Sequence, residues 1–251
     1  MFERDRKYVK SDVDCVKDFS KFAGTNLNMD KCKGIWLGNL KNDDEHEMYG
    51  ISFTNEPVKC LGIFIGHNKE ECHNKNWNDP LSNLENVFKS CKQRRLTLFG
   101  KVIIIKSLAL SKLVYRFSLL HVPEDIIKKV KKLCFDLIWN KTERVKRNVL
   151  YNEVQHGGIY MIDIDSYITA IKAAWVNKFV QHPKYFNVLE ECISKEIGLS
   201  ITQMLKTNFR NLKSCITAAK LPIFYQDIFI AFNKCKSIKN LENMNDHDFL
   251  T

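Results

Sequence analysis

The sequence predicts an α+β fold, mostly α, in which a small antiparallel β-hairpin at the N-terminus precedes a helical middle and a helical C-terminal region. Two observations predict it. Strand-like apolar runs are confined to the first 65 residues, whereas from Leu81 onward apolar residues recur at three-and-four spacing. The composition, 45% hydrophobic and 27% charged over 251 residues, is that of a globular chain long enough to bury a core. Ten Gly and five Pro exclude a collagen-like or linker-dominated chain.

In order along the chain, Ser11 to Ala23 places Val13, Val16, Phe19, Phe22 and Ala23 on one helical face. Ser11 with Asp14 resembles a capping box at its start, and Gly24 suits its end. Asn26 to Asn28 turn the chain, Gly34 to Gly38 reads as a short strand, and Asn39 to Met48 as a polar loop. Ile51–Thr54 and Val58–Ile65 read as two strands joined across Asn55, Glu56 and Pro57. The polar run Gly66–Asn78 reads as a boundary. Beyond it, Leu81–Leu96 is amphipathic, Phe99 and Gly100 mark a bend, and Lys101–Leu119 forms a second helix. Pro123 with Glu124 and Asp125 starts a third that runs to about Trp139. Gln155–Gly158 is a turn, Ser166–Val180 a helix, and Tyr185–Ile238 further helices broken near Gly198 and Pro222. The last dozen residues are polar and read as frayed. Three segments follow: 1–76, 77–150 and 151–251.

The formal charge of +10 is concentrated. Lys89 to Leu150 hold sixteen Lys/Arg against four acids, a net of +12, and the rest of the chain nets −2. Such a block suits a polyanion, with a lysine-rich solvated face as the plain structural reading. On a regular helix Lys101, Lys112 and Arg116 fall within about 60° of one another. The next helix carries Lys128, Lys129, Lys131 and Lys132 opposite Ile127, Leu133 and Phe135. The most apolar stretch, Val102–Val122, contains Lys106, Lys112 and Arg116, so no membrane span is expected. Met1–Lys7 lacks the apolar centre of a secretory signal. With nine scattered cysteines and no Cys-x-x-Cys pair, this points to reduced, mostly buried thiols in an intracellular setting, cytoplasmic or nuclear. His67, Cys72 and His73 lack a fourth zinc ligand at sensible spacing, so no metal site is expected. Trp36, Trp77, Trp139 and Trp175 lie in apolar surroundings and read as core rather than base-stacking platforms.

Several blocks together resemble the part of a LINE-type (non-LTR) retrotransposon reverse transcriptase that follows its catalytic turn. Phe19–Gly38 (FSKFAGTNLNMDKCKGIWLG) is similar to the family's fourth polymerase motif, and Val58–Ile65 (VKCLGIFI) to its primer-grip hairpin. Arg95–Phe117 (RLTLFGKVIIIKSLALSKLVYRF) is similar to its thumb helix. Leu137–Asn140 (LIWN) and His156–Gly158 (HGG) resemble the blocks that follow. The resemblance covers residues 8 to 180.

What it implies is an RNA-directed DNA polymerase fragment: the end of the palm (1–76), a basic thumb (77–150) and part of a helical C-terminal region. The family's Mg²⁺ is held by aspartates in a Tyr/Phe-x-Asp-Asp turn, and no such turn occurs in this sequence. Asn42–Asp44 has paired acids but follows the fourth motif. The chain alone is therefore expected to retain no cofactor and to be inactive as a polymerase. By the same resemblance Lys31 is the phosphate-proximal lysine, and Leu61 and Gly62 form the primer-grip turn. Arg94, Arg95, Lys101, Lys112 and Arg116, with Lys128 and Lys132 on the next helix, are the candidate contacts to the backbone of an RNA or DNA duplex. A separate palm and fingers fragment is the implied protein partner. The alternative is a non-enzymatic basic helical protein that binds nucleic acid or an acidic partner.

Overall fold

The computed structural model describes residues 6–36, 47–139, 144–206, 212, 214–216 and 220–238. The paired acids at Asn42–Asp44, Asn140 of the LIWN block and the polar tail lie outside them. The chain divides into two compact units, Met1–Asp79 and Pro80–Thr251. The architecture is mostly helical with small sheets near the N-terminus, as the sequence predicts.

Unit 1 opens with α1, Arg6–Ala23. The helix starts five residues before the expected capping box, because Val9 extends the face of Val13 and Val16 by another turn. Ser11 and Asp14 therefore lie exposed within it. Gly24, at φ +63°, ends it. A single 3₁₀ turn, Met29–Lys31, is capped by the Asn28 side chain, which accepts from the Lys31 amide at 3.2 Å. Strands β1 (Lys33–Gly34), β2 (Glu47–Met48) and β3 (Ile51–Phe53) form one sheet, with β3 central, parallel to β1 and antiparallel to β2. Trp36 stacks on Phe53 with ring centroids 4.2 Å apart.

Strands β4 (Val58–Cys60) and β5 (Ile63–Ile65) pair with each other. This corrects the expected hairpin across Asn55–Pro57: the hairpin lies wholly inside 58–65. Its two-residue turn needs two consecutive positive φ angles, and Leu61 (φ +48°) and Gly62 (φ +86°) supply them. The Gly66–Asn78 stretch, read as a polar boundary, is largely helical, with α2 (Lys69–His73) and then a wide π turn over Asn74–Asn78. Asn68 caps α2 by accepting from the Glu71 amide. The π turn carries buried Asn76, whose side-chain amide treats Phe64 as a neighbouring strand would. The Phe64 amide donates to its Oδ1 at 2.9 Å, and its Nδ2 donates to the Phe64 carbonyl at 2.8 Å.

Unit 2 is helical: α3 (Asp79–Lys92), α4 (Leu98–Ile104), α5 (Ser111–Leu119), α6 (Glu124–Trp139), α7 (Arg147–Tyr151), α8 (Ile164–Ala173), α9 (Trp175–Gln181), α10 (Asn187–Ile197), α11 (Ile201–Lys206) and α12 (Ile223–Ile238). The expected bend at Gly100 is absent. Thr97 caps α4 by accepting from the Gly100 amide, so that glycine sits in the helix's first turn. The break in regularity comes later, as a π-helical segment over Ile105–Leu110 joining α4 to α5. Helix α8 is central, packing against α5, α6, α9 and α12. Asp163 caps it by accepting from the amide and hydroxyl of Ser166. Burial opposes ionisation of that carboxyl, but the bonds from Ser166 and the nearby Lys131 outweigh it and hold Asp163 below its usual range. Farther along, Val176, Phe179, Ile193, Met204, Ile228 and Phe229 form the core of the C-terminal helices.

The thiols are less buried than the sequence suggests. Cys91 and Cys134 are inside, and burial pushes the Cys134 thiol up to about 12, whereas Cys15, Cys60 and Cys192 are exposed. Trp36 and Trp77 are buried and Trp139 and Trp175 half-buried. No helix among the described residues is long and apolar enough to cross a membrane.

The Asn76 brace yields a test. Replacing Asn76 by Ala strips both bonds from a buried backbone site and should cost unit 1 about 2 kcal/mol. Amide hydrogen exchange at Phe64 should accelerate accordingly while amides of α8 keep their protection.

Candidate nucleic-acid interface

The basic block is built on the helical run from α4 to α6, and one local irregularity decides what faces solvent. Ile105, Ala109, Leu113 and Phe117 are all buried and spaced by four residues. On a regular helix each such step drifts by about 40°. The π segment over 105–110 takes back that drift and keeps all four on the packed side. The solvent side follows the same rule. Phe99, Ile103, Ser107, Ser111 and Tyr115 are all exposed at four-residue steps, a ridge about 24 Å long. The Ser107 hydroxyl donates to the Ile103 carbonyl and that of Ser111 to the Ser107 carbonyl, so neither serine offers its hydroxyl proton outward. The ridge carries no charge although it lies in the most basic part of the chain. Ile103 is 62% exposed on this ridge, one turn from exposed Phe99.

The π segment also separates the cations expected to share one stripe. Its wider turn shifts α5 by about one residue's rotation, roughly 100°, relative to a continuous α-helix. Lys101 accordingly turns inward and donates from Nζ to the Ile138 carbonyl at 3.0 Å, near the C-terminal end of α6. Lys112 is exposed. Arg116 is half-buried and reaches back to the Lys112 carbonyl at 3.4 Å. Arg94 and Arg95 are exposed in the loop that leads into α4. On α6 the buried face is Ile126, Val130, Cys134, Phe135, Leu137 and Ile138, while Ile127 and Leu133 are half-buried. Lys128 pairs with Glu124 and Lys129 with Asp125 one turn away, at 3.6 and 3.4 Å, and Lys131 pairs with Asp165. Lys132 is exposed and forms no ion pair among the described residues. The cations left outward and unpaired there thus include Arg94, Arg95, Lys112 and Lys132. Exposed surface pairs such as Lys128–Glu124 contribute little and open easily.

In unit 1, Lys31 is exposed on its 3₁₀ turn. Leu61 stands at the tip of its hairpin, 86% exposed with a left-handed backbone, a conformation that disfavours any residue with a Cβ. Among the described residues no three His, Cys, Asp or Glu side chains converge as a metal site, and His67, Cys72 and His73 form no such group.

Sequence reasoning missed the residue that anchors this surface. Lys172 of α8 is 2% exposed. Its Nζ donates to the Leu120 carbonyl at 2.7 Å, sits 4.5 Å from the Phe224 ring centre and lies 3.9 Å from Asp227 Oδ2. Asp227 on α12 also meets His121 Nδ1 at 2.8 Å, and Trp175 Nε1 donates to the Ser118 carbonyl at 2.9 Å. The C-terminal end of α5 is thus closed by groups from α8 and α9, and α12 supplies the counter-charge. The signal was present in the sequence, since Lys172 follows Ile164 and Ile168 at four-residue steps along the buried face. Burial pushes its ammonium down to about 8, partly opposed by Asp227.

Comparison with known proteins adds one likeness. No family model matches the chain. Among curated proteins it is similar to a transposon TX1 protein of 149 kDa, uncharacterized, from Xenopus laevis, at 21% identity over 178 residues. The match takes in 66% of this chain and 13% of that protein, so the chain is similar to a short part of a much longer polypeptide. The likeness links the chain to transposon-encoded proteins.

The buried lysine makes a pH prediction. The unfolded chain keeps the Lys172 proton to about pH 10.5, while the folded chain releases it near pH 8. Stability relative to a Lys172→Met variant should therefore rise from pH 8 to pH 10.5, by up to about 3 kcal/mol. Urea unfolding of both proteins at pH 7, 9 and 10.5 measures it.

Proposed function

We propose that this chain is a segment of a LINE-type retrotransposon reverse transcriptase that binds the backbone of an RNA or DNA duplex along α4 and α5. On this reading residues 1–76 are the end of the palm, 77–150 the thumb and 151–251 the start of the helical region beyond it. One observation carries the reading: the straight uncharged ridge Phe99–Ile103–Ser107–Ser111–Tyr115, with Arg94 and Arg95 in the loop leading into its helix and Lys112 on the helix itself. A strip of apolar and small side chains suits the sugar edges and groove of a duplex, and nearby cations suit its phosphates. Such contacts hold and orient without reading sequence. The likeness to a transposon protein and the order of the sequence blocks support the same reading.

The chemistry divides accordingly. Lys112, Arg94, Arg95 and Lys132 neutralise phosphates, while Lys101 is bonded to the backbone of α6 and Arg116 lies back along its own helix. Leu61 and Gly62 present a backbone with little bulk beyond one apolar tip, where a primer strand could approach. Lys31 stands ready for a phosphate in a polymerase centre whose metal-binding aspartates would come from a separate palm and fingers fragment. Without that fragment the chain holds nucleic acid but does not extend a primer when Mg²⁺ is added.

The test separates outward from inward lysines. Affinity for a blunt duplex should fall linearly on a log–log plot against salt, with a slope set by the phosphates neutralised. Lys112→Ala should reduce that slope by about 1. Lys101→Ala should leave the slope unchanged and lower stability by about 1 kcal/mol through loss of its bond to Ile138. Fluorescence anisotropy across a salt series, with thermal unfolding of each variant, provides both readouts. Salt-insensitive binding, or none at low salt, would remove the duplex reading and leave the basic helical protein with an acidic partner.

A further inference from the structure

Besides Tyr49, Leu61 and Lys220, the segment after α6 contains a strained and exposed side chain, at a place that neither the ridge, a hairpin turn nor the helix caps explain. The chain leaves α7, makes a 3₁₀ turn over Val154–His156 and doubles back, so that residues 158–161 run beside residues 150–152. Four bonds fix this return. The Gly158 amide donates to the Glu153 carbonyl at 2.9 Å, the Tyr160 amide to Asn152 at 3.0 Å, and the amides of Ile159 and Met161 both to Leu150. Gly158 is buried so tightly that a Cβ there would stand 1.9 Å from the Asn152 carbonyl oxygen, and Met161 is buried. The Tyr151 hydroxyl, bonded to the Asp163 carboxylate and pushed up to about 12 by burial first and that carboxylate second, ties the base of the loop to the start of α8.

Between these fixed points Tyr160 is held at φ +54° and its side chain is turned outward, 48% exposed. Its hydroxyl forms no hydrogen bond, and its ring no aromatic or cation contact, among the described residues. No hydrogen bond or ring contact among the described residues accounts for a tyrosine at this position. Asn or Gly would take the backbone conformation more readily. An aromatic ring kept at a strained backbone site, on a rigid loop, points to a contact made with something else. The surroundings indicate what. Arg144 and Lys146 are exposed just before α7, and that helix advances only about 8 Å before the residue beside Tyr160 is reached. An exposed ring with exposed cations one short helix away carries the chemistry by which proteins hold unpaired nucleotides, the ring under a base and the cations on phosphates.

We propose that Tyr160 is a stacking platform for a base of single-stranded nucleic acid, with Arg144 and Lys146 on the adjoining phosphates. The inference rests on the reading that this chain binds nucleic acid, and adds a single-stranded segment to the duplex assigned to α4 and α5. The full chain is titrated against a labelled oligothymidine strand and, separately, a blunt duplex of the same length. Tyr160→Asn, which removes the ring but accepts the left-handed backbone, should weaken strand binding about tenfold. It should leave duplex affinity within about twofold, and its thermal midpoint should be no lower than that of the wild type. Tyr160→Phe should bind the strand like the wild type. Strand binding unchanged in Tyr160→Asn, or lost equally in Tyr160→Phe, overturns the proposal, as does a fall in the Asn variant's thermal midpoint that accounts for the lost binding. A wild-type chain that binds the strand through Tyr160 but not the duplex upholds this inference and refutes the duplex reading. Duplex binding without strand binding does the reverse, and binding of neither refutes both.

Discussion

The bond from Lys172 to the Leu120 carbonyl is the constraint on which the larger unit depends. A helix ends with carbonyls that have no partner within it, and a buried end must find donors elsewhere. Helix α5 ends against α8, and Lys172 with Trp175 supplies those donors. An ammonium there also faces the negative end of the helix dipole. Its charge would be costly in an apolar setting, and Asp227 from α12 offsets part of that cost while also holding His121. One side chain therefore closes α5, ties it to α8 and gives α12 a reason to dock where it does.

Seen this way, the basic excess of the middle segment serves two purposes that composition cannot separate. Lys101 bonds to the backbone of α6, Arg116 lies back along its own helix, and Arg147 stacks over Phe135 at 4.4 Å. Lys128, Lys129 and Lys131 meet acids. What remains for a ligand is a smaller, more localised set around the start of α4, at Lys112 and on the far side of α6. A polyanion would meet a surface considerably less positive than the segment's count of sixteen cations suggests.

Much of this was legible in the sequence, and the misses have physical causes. Helix α6 began where Pro123 and its acids placed it, and the helix ends at Gly24 and Gly198 followed from glycine's tolerance of a left-handed backbone. Pairing of the strands was misread because a local pattern says which residues are extended but not which edge they meet. Leu61–Gly62 is also a turn that propensity does not favour. The bend expected at Gly100 proved to be a capped helix start, and the true irregularity, at 105–110, was hidden because it contains no Gly or Pro. For the site, the outward cations were identifiable as a group. Which of them point outward was not, since a π turn alters the phase on which every angular argument depends. Lys172 could have been noticed as a lysine in line with two buried isoleucines, but its partners lie 52 and 55 residues away and no local rule names them.

Those separations bear on the order in which the protein is made. The carbonyls at the end of α5 receive their donors from residues 52 and 57 positions later in the chain. During synthesis the ridge-bearing helix therefore reaches its full length long before its end can be closed. Until α8 and Trp175 have emerged, that end lacks the donors that later close it. The ridge-bearing helix is thus among the earlier parts of unit 2 to be synthesised and is closed only after more than fifty further residues, because its end depends on contacts of high sequence separation.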